Sequence, residues 1–398
     1  MSNRNYYIDL QLGKLPPEKQ SVLREHVAAL DCSLFDALDR RETVTARGEF
    51  SPIGAVEARE IAARETEFRA VGLETIRAGK VGAVLLAGGQ GTRLGADRPK
   101  GAINIGVTRE LYIFECLINN LKEVTAAAGA WVPLYIMTST VNHDDTVAFF
   151  QAHSFFGYPE EYVKFFIQEM VPAVDYQGRI LLQSETEPVL SPNGNGGWFS
   201  SMARAGILED VRARGIEWLN VFAVDNVLQR IADPAFIGAT ILSGCESGAK
   251  VVRKAEPGER VGVLCREDGK PSIVEYYDLS DEMANARRED GELVYGLGVI
   301  LNYLFSEKKL EKIVNDRLPI HVVEKKIPYL DENGSMVSPA EPNGYKFETL
   351  VLDMVHMMDD CLAYEVVREK EFAPIKNLHG VDSVDSARAL LDKNGITL

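Results

Sequence analysis

The sequence predicts an α/β protein built on a doubly wound, mostly parallel sheet and preceded by a helical arm. Two observations carry that prediction. From residue 81 onward, short apolar strands alternate with amphipathic helices. Polar or glycine-rich residues follow several of those strands directly, at the carboxyl ends where such sheets hold ligands.

The elements follow in order. Residues 15–45 open on two prolines, in LPPEKQSVLREHVAALD, and place apolar residues at helical spacing. TARGEFSPIG reads as a linker, and VEAREIAARETEFRAVGLETIRAG (56–79) as a second amphipathic helix closed by glycine. VGAVLLAG (81–88) is a short buried strand running into glycines. A helix over 111–129, a strand over 131–139, a helix over 144–156, a strand over 163–168, a helix over 198–215 and a strand over 218–226 continue the alternation. Beyond residue 250, AKVVRKA, GVLCRE and SIVEYYDLS read as short antiparallel strands, and SVDSARALLDKNG (383–395) as a last helix. The expected division is an arm over 1–78, a main domain over 79–377 and a helical tail over 378–398.

Composition narrows the classes. A chain of 398 residues, 46% hydrophobic, can bury a large core. The net charge of −16 and the lack of any basic block speak against nucleic-acid binding. No apolar run reaches the length of a membrane span. Five scattered cysteines without a C-x-x-C pair suit reduced thiols in the cytoplasm. The opening MSNRNYYIDLQLGK lacks the apolar core of a signal peptide.

The chemistry concentrates at LLAGGQGTRLGADRPKG, residues 85–101, where five glycines accompany Arg93, Arg98 and Lys100. Bare backbone N–H groups at glycines can approach phosphate closely. The string is neither G-x-x-x-x-G-K-[ST] nor G-x-G-x-x-G: counted from Gly89 and Gly91, Leu94 stands where the last glycine should, and Gly95 comes one residue late. A dinucleotide-dependent oxidoreductase is thereby disfavoured. Gly88, Gly89 and Gly91 are candidates to wrap a polyphosphate, with Arg93 and Lys100 supplying positive charge; the bland alternative is a tight turn with solvated cations.

Other candidates are spread along the chain. Asp225 ends the buried string NVFAVDNVL, as a Mg²⁺ ligand, a helix cap or half of an ion pair. SPNGNGGWF (191–199) is either a plain turn or a place where Gly194 admits a base and Asn195 reads a hydroxyl. Gln168, after FFI, offers a donor and an acceptor side by side, which match the N3–H and a carbonyl of uracil. Lys376 lies in the proline-bearing segment VVREKEFAPIKN. The six histidines show no H-E-x-x-H spacing.

In this order, LLAGGQGTRLGADRPKG, FFIQ, SPNGNGG, VFAVDN, ILNYLF, IPYLDENGSMVSPAEPNGYKFE and REKEFAPIKN resemble the UDP-N-acetylglucosamine pyrophosphorylase family, over about residues 15–395. The family consists of UTP-dependent sugar-1-phosphate uridylyltransferases. The resemblance implies a Rossmann-like, GT-A-like mixed sheet of the nucleotide-diphospho-sugar transferase kind. The domain over 79–377 would be catalytic, with the antiparallel strands after 250 on the sugar side. Substrates would be UTP and a sugar-1-phosphate, products a UDP-sugar and pyrophosphate, and the cofactor Mg²⁺, with Mn²⁺ as an alternative. By position, Gly88, Gly89 and Gly91 would face the nucleotide, Arg93 and Lys100 its phosphates, and Gln168 and Gly194 the uracil. Asn195, Gly262, Glu275 and Asn302 would contact the sugar, Asp225 would hold Mg²⁺, and Lys376 would bind phosphate near the reacting centre.

The chain departs from the family in two places. The N-acetylhexosamine branch carries two phenylalanines after N-G-x-K, where NGYKFETLVLD has Leu350 and Leu352. Read as strand residues two apart, these leucines share one face and reshape the acetamido pocket. Glucose- or galactose-1-phosphate therefore stands as the alternative to N-acetylglucosamine-1-phosphate, and a non-catalytic UDP-sugar sensor as the alternative of another class. The family also continues past the Lys376 motif with a small domain, whereas this sequence ends at Leu398, as in a compact version.

Overall fold

The computed structural model describes residues 4–30, 35, 38, 47–313 and 318–398. The chain forms two compact units: Met1–Arg47 with Gln168–Gly197 and Leu318–Asp353, and Gly48–Ile167 with Trp198–Arg317 and Met354–Leu398.

The larger unit holds an eleven-stranded mixed sheet. Its strands in chain order are β1 (Phe50–Ser51), β2 (Ala55–Val56), β3 (Val81–Leu86), β4 (Leu134–Thr138), β5 (Val163–Ile167), β6 (Trp218–Ala223), β7 (Ser247–Arg253), β8 (Val263–Glu267), β9 (Lys270–Val274), β10 (Leu297–Ser306) and β11 (Leu362–Glu365). The spatial order is β2–β11–β7–β10–β6–β3–β4–β5, and β8 joins β10 while pairing with β1 and β9. Strand β3 runs parallel to both β4 and β6, and β4 parallel to β5. β10 is antiparallel to β6 and β7, so a parallel core carries an antiparallel insertion. The chain winds outward from β3 through β4 to β5, then returns to place β6 on β3's other side. The crevice between β3 and β6 is therefore a topological switch point, where doubly wound sheets hold ligands.

The apolar runs in these strands follow from burial on both faces. Val81, Ala83 and Leu85 of β3 join one core with Leu134 and Ile136 of β4 and Phe222 of β6. The intervening Val84, Leu86, Tyr135, Met137 and Val221 are also buried and point to the other face. Helix α1 (Ala58–Arg77) meets α2 (Pro234–Ser243) backbone to backbone: a Cβ on Gly72 would lie 1.9 Å from the Pro234 carbonyl oxygen. Helix α3 (Val384–Lys393) buries Ala387 and Leu391 in the same core.

In the smaller unit, helices Tyr6–Leu12 and Pro17–Ala28 place Tyr7, Ile8 and Leu23 in a core with Val174, Leu181 and Phe347. Strands His321–Lys325, Gly344–Glu348 and Val174–Asp175 form its three-stranded antiparallel sheet. Much of the helical expectation over 15–45 beyond Ala28, including Cys32, lies outside the described residues.

Three expectations are corrected. TARGEFSPIG is more than a linker, because Phe50–Ser51 pairs with β8, and the adjoining Ala55–Val56 pairs with β11. The helix expected over 198–215 is two, Trp198–Arg204 and Ile207–Arg214, parted by Gly206 at φ +70°. The strand in SIVEYYDLS stops at Val274, and Glu275 begins a turn. Among the described residues no helix is long and apolar enough to cross a membrane.

Candidate functional site

In the larger unit the glycine loop leaves the carboxyl end of β3 and folds back on itself. Gly91 N–H donates to Arg98 O at 2.9 Å, and Lys100 N–H donates to Gly89 O at 3.2 Å. Gly91 packs closely there: a Cβ would lie 2.7 Å from the Ile103 Cδ1. At Gly89 a Cβ would meet nothing within 4 Å, so this side of the loop is open. The hairpin-like turn returns Lys100 to the strand end. Its Nζ lies 2.6 Å from Oδ1 of Asp225, which follows the neighbouring β6. The cation and the acid singled out from distant strings thus meet at the switch point, with the lysine side chain 13% exposed. Arg93 stands exposed on the short turn Thr92–Leu94, with no ion-pair partner among the described residues.

The segment carrying Lys376 is held against Asp225. Ile375 N–H donates to the Asp225 main-chain oxygen at 2.9 Å. Asn226 Nδ2 donates to Glu371 O at 2.6 Å, and Asn226 Oδ1 accepts from Ala373 N–H at 2.9 Å. Fully buried Lys250 anchors the segment from below, at 2.5 Å from Glu371 Oε2, 2.9 Å from Asp233 Oδ2 and 3.2 Å from Arg230 O. Burial holds the Glu371 carboxyl above the usual carboxylate range against the pull of Lys250. Lys376 itself pairs with Asp382 at 2.9 Å. Asn226 and Asp382 were not singled out from the sequence. Asn226 was legible only as the neighbour of Asp225, and Asp382 carries no local signal.

On the antiparallel side, Gly262 and Glu275 come together at the open end of the β8–β9 hairpin. Glu275 Oε2 lies 3.8 Å from where a Gly262 Cβ would stand. Asn302 departs from the expected sugar contact. It is fully buried in β10, accepts from Asn220 Nδ2 at 2.8 Å, and donates to Gln229 Oε1 at 3.3 Å and Arg230 O at 3.2 Å. Both ends of its amide are thus taken by protein groups. A register shift in the β7–β10 pairing, with Leu301 at φ +52°, accompanies this placement.

The remaining candidates belong to the smaller unit, where most of them meet. Gln168 is buried and donates from Nε2 to Gly194 O at 2.5 Å. Gly194 sits at φ +87°, and a Cβ there would lie 2.2 Å from Thr349 O, so only glycine fits. Asn195 Oδ1 accepts from Val351 N–H at 2.9 Å, which sets it beside Leu350 at the start of helix Val351–His356. Leu352 is corrected: the strand ends at Glu348, so Leu352 lies on that helix and shares no strand face with Leu350.

Among the described residues no three or more acidic, histidine or cysteine side chains gather as a ready-made metal site. Asp225 supplies a single, partly exposed carboxylate, with Oδ1 against Lys100. That donor set fits Mg²⁺, which takes one or two carboxylates and completes its shell from phosphate oxygens and water.

A glycine loop, a lysine and a carboxylate thus stand together at the switch point of a doubly wound α/β sheet. The chain belongs to the UTP–glucose-1-phosphate uridylyltransferase family, whose model matches residues 51–398. It is 41% identical over 326 residues to the human UDP-N-acetylhexosamine pyrophosphorylase-like protein 1, covering 80% of this chain and 64% of that protein. It is 37% identical to the UDP-N-acetylglucosamine pyrophosphorylase of Saccharomyces cerevisiae, over 79% of this chain and 68% of that one. The crystal structure of the uridine diphosphate N-acetylglucosamine pyrophosphorylase from Trypanosoma brucei, in complex with an inhibitor, superposes with a TM-score of 0.83 at 27% identity, covering 98% of this chain and 82% of that chain. The chain thus spans a little under two thirds of the length of the human relative.

Proposed function

We propose that the protein is a uridylyltransferase that joins UTP and a sugar-1-phosphate, giving a UDP-sugar and pyrophosphate. The observation that carries this reading is the meeting of Lys100 and Asp225 at 2.6 Å beside the glycine loop. N-acetylglucosamine-1-phosphate is the leading acceptor, supported by the names of the relatives. Glucose- or galactose-1-phosphate is the runner-up, because Leu350 and Leu352 stand where two rings are expected. The compartment proposed is the cytoplasm, in keeping with the buried free thiols of Cys116, Cys265 and Cys361.

The nucleophile is a phosphate oxygen already ionised at neutral pH, so no general base is required. The difficulty is bringing two anions together, which calls for positioning and charge neutralisation. Mg²⁺, when bound, supplies charge neutralisation at the phosphates, and Asp225 is the residue that would hold it. Lys100, kept at the strand end by the folded-back loop, offsets negative charge on the leaving pyrophosphate. Arg93, exposed and without an ion-pair partner among the described residues, adds a second cation to the same group. Lys376, on a segment fixed to Asp225, steers the attacking phosphate. In the smaller unit, Gln168 and Gly194 are the candidates for reading a uracil base and Asn195 for reading a sugar hydroxyl.

The expected course is a single in-line displacement with inversion at phosphorus. Initial velocities with UTP and N-acetylglucosamine-1-phosphate varied together should give intersecting lines. Parallel lines, or a trapped uridylyl-enzyme, would contradict direct displacement. UDP-sugar binding without turnover would favour the sensor.

A further inference from the structure

We propose that Asn142 is the positioning residue of the nucleotide loop: it turns the backbone N–H groups of Gly88 and Gln90 toward the phosphates of the nucleotide. This rests on the uridylyltransferase reading and assigns that site a residue outside it in sequence.

Asn142 closes the turn after β4 and precedes helix His143–Ala152, and it is fully buried. Its Oδ1 accepts from Ser139 N–H at 2.8 Å and Ser139 Oγ at 3.0 Å. Its Nδ2 donates to Ala87 O at 3.0 Å and Gly89 O at 3.2 Å. A backbone N–H only donates and a carbonyl only accepts, so this amide has one permitted orientation. Both of its donors go to the two loop carbonyls, while Ser139 holds its oxygen.

The consequence follows from peptide geometry. In a planar trans peptide, the C=O and N–H of one unit point opposite ways. Pinning Ala87 O therefore aims Gly88 N–H away from Asn142, and pinning Gly89 O does the same for Gln90 N–H. Neither donor has an acceptor among the described residues, nor has the N–H of Gly89 between them. Successive unpaired N–H groups beside open space make an anion-binding concavity. Without Asn142 the Ala87–Gly88 peptide loses this anchor and the Gly89–Gln90 peptide keeps only the Lys100 N–H on its carbonyl, so the glycine-bearing loop can turn carbonyl oxygens toward the phosphates instead.

Asn142→Asp tests this. It keeps the acceptor for Ser139 and sets an oxygen against two carbonyls in place of the donor. The loop contacts are made in the bound ground state as well as in the transition state, so they belong to uniform binding. UTP affinity, read calorimetrically with Mg²⁺ well below the melting temperature, should fall about tenfold or more. The KM for UTP should rise in step, with kcat at saturating UTP within about threefold of wild type. Asn142→Ala, which lacks the repelling oxygen, should show the same split to a smaller degree and carries the test if the aspartate variant does not fold. Wild-type UTP affinity in both variants, or a loss confined to kcat, would overturn the assignment. If the wild-type protein itself binds no UTP, the uridylyltransferase reading fails instead.

Discussion

Lys100 and Asp225 come from strings 125 residues apart, yet their side chains meet because β3 and β6 are parallel neighbours that end together. A lysine supplying charge to a departing pyrophosphate acts chiefly in the transition state. Lys100→Ala should therefore lower turnover by about 10²-fold or more, the scale of about 2.7–4 kcal/mol for one transition-state donor. Steady-state kinetics at saturating substrates check this, and a near-wild-type rate would remove Lys100 from the mechanism. Asp225→Asn separates chemistry from folding, because the Ile375 bond uses the Asp225 main chain and survives the change. The variant should still unfold cooperatively, at a midpoint lowered by loss of the Lys100 ion pair, and lose Mg²⁺-dependent activity, and retained activity would place the metal elsewhere. At this scale the loop cations were legible because glycines and charges share one short string. The role of Asn302 was not, because a register shift between β7 and β10 accompanies its placement and no spacing announces it. Asp382 stayed hidden for a related reason: a charge in a turn reads as solvated until its partner is known.

Among elements, the long buried strands were the readable ones, since burial on both faces writes continuous apolar runs such as VGAVLL. Two-residue strands such as Phe50–Ser51 have no periodicity to read and are recognised only by their partner β8. The break at Gly206 was masked by apolar spacing that continues across it, and Leu352 was misread because a strand period ran straight into a helix. That helix offers its own test. His321 Nε2 lies 2.9 Å from Oδ2 of Asp353, joining the strand His321–Lys325 to helix Val351–His356. The hydrogen bond to Asp353, working against burial, raises the imidazole above its ordinary 6.5. A raised native value means that this contribution is complete below pH 6.5 and is lost as pH climbs through the native value. Urea midpoints of the protein should fall over that rise, and His321→Gln should flatten this part of the profile. An unchanged profile in the variant would show that the pair contributes nothing to pH dependence.

For the whole molecule, a net charge of −16 is an unpromising background for the two phosphorylated substrates proposed. The counterweight is local: a glycine loop without side chains meets Lys100, held by Asp225, at the sheet's switch point, with Arg93 exposed beside it. The fold class and the glycine-loop candidates of the larger unit were open to sequence reasoning because that device is local. The cluster of Gln168, Gly194 and Thr349 in the smaller unit was not, because it forms through contacts between residues 26 and 155 apart, and its sugar and base roles rest on resemblance to a family. The central claim is UTP-dependent uridylyl transfer, and pyrophosphate release tests it most directly. The assay holds the protein with Mg²⁺, one nucleoside triphosphate and one of N-acetylglucosamine-, N-acetylgalactosamine-, glucose- or galactose-1-phosphate. Pyrophosphate should be released with UTP but not with ATP, CTP or GTP, and fastest with N-acetylglucosamine-1-phosphate. Preference for glucose- or galactose-1-phosphate would make the two leucines the determinants of the sugar. No release with any pair, from a protein that still binds UDP-sugar, would contradict the enzymatic account.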